Sequence, residues 1–421
     1  MSHRRPHRRS VMVGLGASAS LGLPTFAQNA PRVVILGGGF GGASAAQQLR
    51  QIAPHIHVTL IEANPTYTAC PFSNLVLIGK RELRQQEFGY VSLQRNGIDV
   101  ITARAKVIDP IAKSVRLETA ETLSYDRLIL SPGIDFIWDG IEGYDSDASM
   151  IMPHGWKAGA QTTLLAQQLG AMPDGGTVVI SAPPAPFRCP PGPYERASLI
   201  AHYLKTRKPK SKLLLLDAQD RFSKQPLFEA AWQSYSDIIE RIPGADSGRV
   251  IRVDPKARTV HTDFDTFTAD VMNIIPPQRA GQIAHVSDLT DASGWCPIDA
   301  LTFQSKLQPH IHVIGDATIV APMPKSAFSA NLQGKVCAMQ VARSLAGQPP
   351  LETVLTNTCY SFTDPESAVS VSGVYHNADG QFRPVAGAGG TSPLGDRPAL
   401  RATEAAQAQD WFTAITREAF G

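Results

Sequence analysis

RVVILGGGFGGASAAQQLRQI, residues 32–52, followed by HVTLIE, residues 57–62, decides the fold of this chain. Arg32 to Leu36 is a short β-branched run and reads as a strand. Six residues, Gly37 to Gly42, follow at once as GGGFGG. Ala43 to Ile52 holds helix formers and stops near Pro54, and His57 to Glu62 is a second strand that ends in an acid. Strand, glycine-rich turn, helix, strand and terminal acid within about thirty residues form a dinucleotide-binding unit. Gly37 permits the tight turn, Gly39 lets a pyrophosphate approach the backbone, and Gly42 lets the helix pack on the strand. The helix N-terminus offers free N–H groups to the phosphates. Glu62 can accept from two ribose hydroxyls, and its charge repels an extra 2′-phosphate. A glycine turn alone is weak; the register of strands, helix and acid around it is what makes the reading specific.

Outward from this stretch the pattern continues. Ile98 to Thr102, Val107-Ile108, Ser114 to Leu117 and Arg127 to Leu130 read as strands, and Ser131-Pro132-Gly133 breaks the last. A second unit begins near Gly175: Thr177 to Ile180 as strand, Arg196 to Lys205 as helix, and Lys212 to Asp217 as a strand ending in an acid. Its phosphate turn is replaced by APPAPFRCPPGP, residues 182–193, where six prolines fall in eleven positions. Each proline removes a backbone donor and fixes φ, so this loop cannot cradle a pyrophosphate. The second unit therefore keeps the fold without a nicotinamide site, and displays Cys189 instead. Ile311 to Ile314 is a further strand, followed by Gly315-Asp316-Ala317 and by helical spacing over Ser329 to Leu345. Gly-Asp at a strand end can aim a carboxylate at a ribityl chain; paired with the Gly37 turn, it suggests a flavin. Beyond residue 346, strand-like runs lie at Tyr360 to Phe362 and Ala368 to Tyr375, and a last helix-like segment carries Trp411, Phe412, Ile415 and Phe420.

Composition sets the outer limits. The chain has 421 residues, 43% hydrophobic and 18% charged, with 34 glycines and 32 prolines, which fits several packed units rich in turns. Net charge is +2, and Arg4, Arg5, Arg8 and Arg9 supply four positive charges in an opening segment without acids; without residues 1–27 the balance is −2. That balance is not a nucleic-acid binder's. No apolar run approaches a membrane span. Arg8-Arg9, an apolar stretch from Val11 to Leu23 and Thr25-Phe26-Ala27 have the anatomy of a twin-arginine export signal, the other reading being a basic arm. Export by that route predicts a folded, cofactor-loaded protein in an oxidising periplasm.

Long motifs then carry a resemblance. VVILGGGFGGASAA (33–46), CPFSN (70–74), APFRCPPGPYERAS (185–198), IPPQRAGQIA (275–284), GWCPID (294–299), HVIGDA (312–317), PMPKSAFSAN (322–331) and NTCYS (357–361) are similar to the flavoprotein subunit of flavocytochrome c sulfide dehydrogenase. That family lies within the pyridine nucleotide-disulfide oxidoreductase superfamily. The resemblance implies an α/β fold of two Rossmann-like, glutathione-reductase-like domains plus a smaller C-terminal α+β domain. It divides the chain into a signal at 1–27, an FAD-binding domain at 28–135 and 281–345, a second Rossmann-like domain without an NAD site at 136–280, and a C-terminal domain at 346–421.

The five cysteines are Cys70, Cys189, Cys296, Cys337 and Cys359, and spacing alone gives no connectivity. No C-x-x-C dithiol is present, and no Cys/His cluster has zinc spacing, so no metal is expected. By the resemblance, Cys70 joins covalently to the 8α-methyl of FAD; read alone it is also compatible with a free loop thiol. The resemblance makes Cys189 and Cys359 a redox-active disulfide, against the bland reading of a structural bridge, with Arg188 expected to favour the Cys189 thiolate. Glu195 is a candidate acid–base group or a helix N-terminal carboxylate. Cys337 sits in an apolar helical stretch and reads as core, and Trp411 either stacks near the flavin or packs in the core. The implied activity is oxidation of hydrosulfide at the disulfide. By the same resemblance electrons are expected to pass to a c-type cytochrome subunit; C-x-x-C-H is absent from this chain, which puts the haem on a partner in a heterodimer. Three other readings stand beside it: a sulfide:quinone oxidoreductase, a flavoprotein that reactivates a thiosulfate-oxidising complex, and a nicotinamide-dependent reductase.

Overall fold

The apolar runs of the sequence become the central strands of two parallel sheets. The structure is a computed structural model and describes residues 30–395 and 397–421; the export segment read at residues 1–27 lies outside them. In chain order the main elements are β1 (Arg32–Leu36), α1 (Phe40–Ile52), β2 (His57–Glu62), β3 (Asp99–Thr102) and β4 (Arg127–Leu130). Then come β5 (Thr177–Ala182), α2 (Gly192–Arg207), β6 (Lys212–Asp217), β7 (Ile239–Ile242), β8 (Val271–Ile274) and β9 (Ile311–Val313). The last are α3 (Ala327–Leu345), β10 (Val354–Asp364), β11 (Ser367–Ala378) and α4 (Pro398–Phe420).

The first sheet has the order β9-β4-β1-β2-β3, with every pair parallel. Val33 to Leu36 are buried without alternation, as a strand covered on both faces requires. The strand order reverses between β1 and β4, so the carboxyl ends there open a crevice suited to a ligand. β9 returns to this sheet late in the chain and pairs with β4, Ile311 opposite Leu128. α3 then crosses α1 closely: a Cβ at Gly334 would lie 2.3 Å from the Gly41 carbonyl oxygen. Asn331 ties the crossing by donating to Ser44 at 2.7 Å.

The second sheet, β7-β6-β5-β8, is also parallel throughout. Its connecting helix α2 starts at Gly192, four residues ahead of the helix read from the sequence. Pro193 is tolerated there because first-turn N–H groups have no intrahelical acceptor to lose. β10 and β11 form a long antiparallel pair, with Cys359 opposite Val371. β10 outruns the expected Tyr360 to Phe362 because polar residues in it are satisfied indoors. Asn357, for instance, is buried and accepts from Ser326 at 2.6 Å. α4 lays Phe412 and Phe420 against Phe72 and Phe88 of the first unit, joining both ends of the chain in one core. Among the described residues no helix is long and apolar enough to cross a membrane.

Candidate functional site

A single cavity of about 970 Å³ opens where the first sheet's switch point meets α2 and β10, and eight of the nine site residues expected from the sequence line it: Gly37, Gly39, Glu62, Cys70, Cys189, Glu195, Asp316 and Cys359. Its size is at the upper end for ligand pockets, as a dinucleotide needs. Gly37 has φ +96°, and a Cβ there would lie 2.1 Å from the Ser131 carbonyl oxygen. Gly42, the ninth, is outside the lining; a Cβ on it would stand 1.9 Å from the Gly37 oxygen, so its absent side chain lets α1 sit on the turn. Glu62 accepts from the Gly38 N–H at 2.7 Å and from the Asn64 N–H at 3.1 Å, which fixes its carboxylate at the end of β2.

Asp316 lies in the single 3-10 turn Gly315–Ala317 after β9. Its Oδ1 is buried without a partner. Burial pushes this carboxyl up, and the charges of Arg188 and Lys325 pull it back. An unpartnered acceptor in a cavity wall is costly unless a ligand donor meets it. The residues therefore fit FAD: a glycine turn that a Cβ would fill, an acid at the end of β2, and an orphaned acceptor in the cavity wall that could take a ribityl hydroxyl.

Cys70 follows the short strand Thr66–Thr68 and precedes the one-turn helix Ser73–Leu77. It is half-buried, and its thiol faces the Trp156 carbonyl at 3.6 Å. Arg188 donates to the same carbonyl.

Cys189 and Cys359 are 170 positions apart in sequence, yet both line the same cavity, close enough for each thiol to shift the other's ionisation. Both are thiols in the structure. Cys189 sits at φ +56°, an uncommon conformation for a residue with a Cβ. Its N–H donates to Lys325 O and its carbonyl accepts from Gly192 N–H, each at 2.8 Å. The lack of a side chain at Gly192 makes room for the sulfur, since a Cβ there would be 3.1 Å from it.

Arg188 favours the Cys189 thiolate, as the sequence suggests, but it does not prevail. The hydrogen bond to Cys359 and burial push the Cys189 thiol well up, and Arg188 opposes them only weakly. The low-lying thiol is Cys359, brought down to about 7 by that hydrogen bond with help from Lys224, against burial and Glu195. Arg188 interacts with Cys70, Asp316 and Tyr67 as well as with Cys189.

Glu195 is in the first turn of α2, beside the pair. It accepts from the Phe362 N–H and from Asn74 Nδ2, both at 3.1 Å. Burial raises its carboxyl, while the Phe362 N–H and Lys224 hold it down. Arg196 fixes Asn74 in turn, donating to its Oδ1 at 2.9 Å. Trp411 lines the cavity, stacks on Phe328 with centroids 6.5 Å apart and packs against the core. Cys337 is fully buried in α3 and Cys296 is buried too, away from this wall. The sequence reading missed Lys224, Asn74 and Arg196. Asn74 and Arg196 stand inside quoted motifs, but nothing local marks Lys224, which meets Cys359 only through the tertiary fold. Among the described residues no cluster of His, Cys, Asp or Glu is arranged for a metal ion.

Comparison with known proteins agrees with this geometry. Residues 162–276 match the family described as sulfide dehydrogenase (flavocytochrome c) flavoprotein chain, central, and residues 351–420 match flavocytochrome c sulphide dehydrogenase, flavin-binding. Residues 31–157 match pyridine nucleotide-disulphide oxidoreductase. The sulfide dehydrogenase (flavocytochrome c) flavoprotein chain of Chlorobaculum thiosulfatiphilum is 58% identical over 45 residues, 11% of this chain and 94% of that sequence. The mitochondrial sulfide:quinone oxidoreductase of Mus musculus is 24% identical over 77% of this chain and 74% of its own. Among solved structures, the sulfide:quinone oxidoreductase of Aquifex aeolicus superposes with TM-score 0.73 at 18% identity, covering 92% of each chain, a likeness of fold.

Proposed function

The chain belongs to the family of flavocytochrome c sulfide dehydrogenase flavoprotein chains, and from that premise we propose that it oxidises hydrosulfide at a Cys189–Cys359 disulfide beside FAD and passes the electrons to a c-type cytochrome partner. The observation that carries the reading is the meeting of Cys189 and Cys359 in the wall of the cavity that Gly37 and Asp316 also line. Gly37, Gly39, Glu62 and Asp316 would hold the cofactor, and Cys70, which lines the same cavity, would attach it covalently. When bound, FAD supplies the two-electron acceptor that the reduced sulfur pair requires.

The protein's own part is thiol–disulfide exchange. With the bridge formed, HS⁻ attacks one sulfur, a new S–S bond forms, and the Cys–Cys bond breaks. One cysteine becomes a persulfide and the other leaves as a thiolate. The neighbouring Cys189 thiol and the Lys224 ammonium favour negative charge at Cys359. Glu195 is held by the Phe362 N–H and Asn74 in the wall it shares with the cysteines, and its raised pKa suits it to keep or move a proton there. Export through the twin-arginine signal to the periplasm is part of the same proposal.

The acceptor separates this reading from its neighbour. In a quinone reductase α4 would offer an apolar face outward, whereas Phe412, Ile415, Ala419 and Phe420 are buried. Purified holoprotein, given sulfide, is assayed with a c-type cytochrome and with a water-soluble quinone. Cytochrome reduction that vanishes in Cys189→Ser supports the proposal. Preferential quinone reduction overturns its acceptor, and absence of sulfide-dependent reduction of either favours the non-catalytic component.

A further inference from the structure

One buried charge beside the sulfur pair has no counterpart in the sequence reading. Lys224 caps the helix Gln225–Trp232 with φ +63°, in the second Rossmann-like unit. Its side chain leaves that unit and ends among β10 and β11. Nζ donates to the Cys359 carbonyl at 3.1 Å, to Ser361 Oγ at 2.8 Å and to the Val369 carbonyl at 3.3 Å. Three donors meet three acceptors, so the ammonium is fully hydrogen-bonded, and the residue is only 6% exposed. None of the acceptors is charged. Among the described residues Lys224 makes no ion pair within contact distance, so its charge is balanced only at longer range. The groups that face it are Cys359, Glu195, Cys189 and, farther along α4, Glu404. Phe228 offers its ring face at 5.9 Å. An ammonium held out of water without a contacting anion is expensive, and the arrangement becomes favourable when a negative charge develops nearby.

Resting on the sulfide-oxidation reading above, we propose that Lys224 is a positioning residue for the sulfur pair: anchored on the Cys359 carbonyl and the Ser361 hydroxyl, its ammonium places the negative charge of the reduced pair on Cys359 and not on Cys189. The pair is thereby made asymmetric by a residue from another unit. Burial lowers the Lys224 ammonium and its anionic neighbours raise it again, as such a role needs. Arg188, adjacent to Cys189 in sequence, pulls that thiol down but does not outweigh the Cys359 thiol and burial, and its guanidinium donates to the Trp156 carbonyl.

The test reads thiol ionisation and requires no sulfide turnover, so it fails or succeeds separately from the catalytic proposal. Holoprotein reduced with a phosphine is alkylated with iodoacetamide across pH, and the rate at each cysteine is followed by peptide mass. In the wild type Cys359 reaches half-maximal reactivity at lower pH than Cys189. Lys224→Gln moves the Cys359 midpoint up on the order of 1–3 pH units, the shift one nearby opposite charge produces. Lys224→Arg keeps it low. An unchanged midpoint in Lys224→Gln, or equal upward shifts in the Gln and Arg variants, overturns the proposal. If neither variant folds, the wild type alone decides: a Cys359 that reacts no earlier than Cys189 refutes it.

Discussion

Glu195→Gln separates a proton-handling carboxyl from a structural one. The substitution keeps size and removes charge. Glu195 now accepts two hydrogen bonds, from Phe362 N–H and Asn74 Nδ2. A glutamine can accept with one oxygen only, so its NH₂ must face one of those donors. Asn74 cannot turn round to help, because its Oδ1 already accepts from Arg196. One hydrogen bond to a charged acceptor is therefore lost, about 1.5–3 kcal/mol of stability, seen as a lower denaturant midpoint. The charge effect runs the other way at the sulfurs. Glu195 raises both thiols, so without it Cys359 ionises at lower pH. If Glu195 moves a proton during turnover, rapid-mixing measurement of flavin bleaching by sulfide should slow by about 10²–10⁴-fold, and the pH dependence of that rate should change shape. A variant that stays folded and bleaches at the wild-type rate with the wild-type pH profile would refute the acid–base role and leave Glu195 as the clamp on Phe362.

Other outcomes follow from the same geometry. Cys70→Ser should bind flavin but release it on denaturation, whereas wild-type flavin should stay with the chain and map by mass to the Cys70 peptide. Gly42→Ala drives a Cβ to 1.9 Å from the Gly37 oxygen, so it should lose flavin and melt lower, as followed by bound-flavin absorbance and calorimetry. Asp316→Asn should leave the apoprotein as stable or more so, because it removes a charge whose Oδ1 has no partner, while weakening flavin by about 1–3 kcal/mol in equilibrium binding. In the reduced protein Cys359 has its folded pKa depressed to about 7 from 9.0. Its contribution to stability is therefore present above the unfolded value and is lost as pH falls through about 7. Chemical denaturation of reduced wild type against Cys359→Ser across that interval checks the sign.

Some of this site could be read directly from the chain and some could not. Gly37, Gly39, Gly42 and Glu62 announce themselves because a βαβ turn imposes fixed offsets on neighbours in sequence. The second unit was legible for the same reason, and its proline loop pointed to Cys189. Strand ends were less so: β10 continues through Thr356 and Asn357 because Ser326, on a distant segment, satisfies the asparagine. Resemblance, not spacing, paired Cys189 with Cys359. Which of them carries the charge could not be read from Arg188, the nearest cation in sequence, whose pull on Cys189 is outweighed. Distance through space decides electrostatics, and there the nearer influence on Cys359 is Lys224, 135 positions away along the chain.

The three cysteines that line the cavity come from the early, middle and late parts of the polypeptide, and β9 reaches the first sheet only after the second has been traversed. A ribosome-bound intermediate thus owns no partial version of this chemistry. Until the final strands emerge, Cys189 has no sulfur to pair with and the pocket lacks a wall. On the proposed mechanism, a product truncated before β10 should be inert, because it holds Cys189 without Cys359 and the pocket without one of its walls.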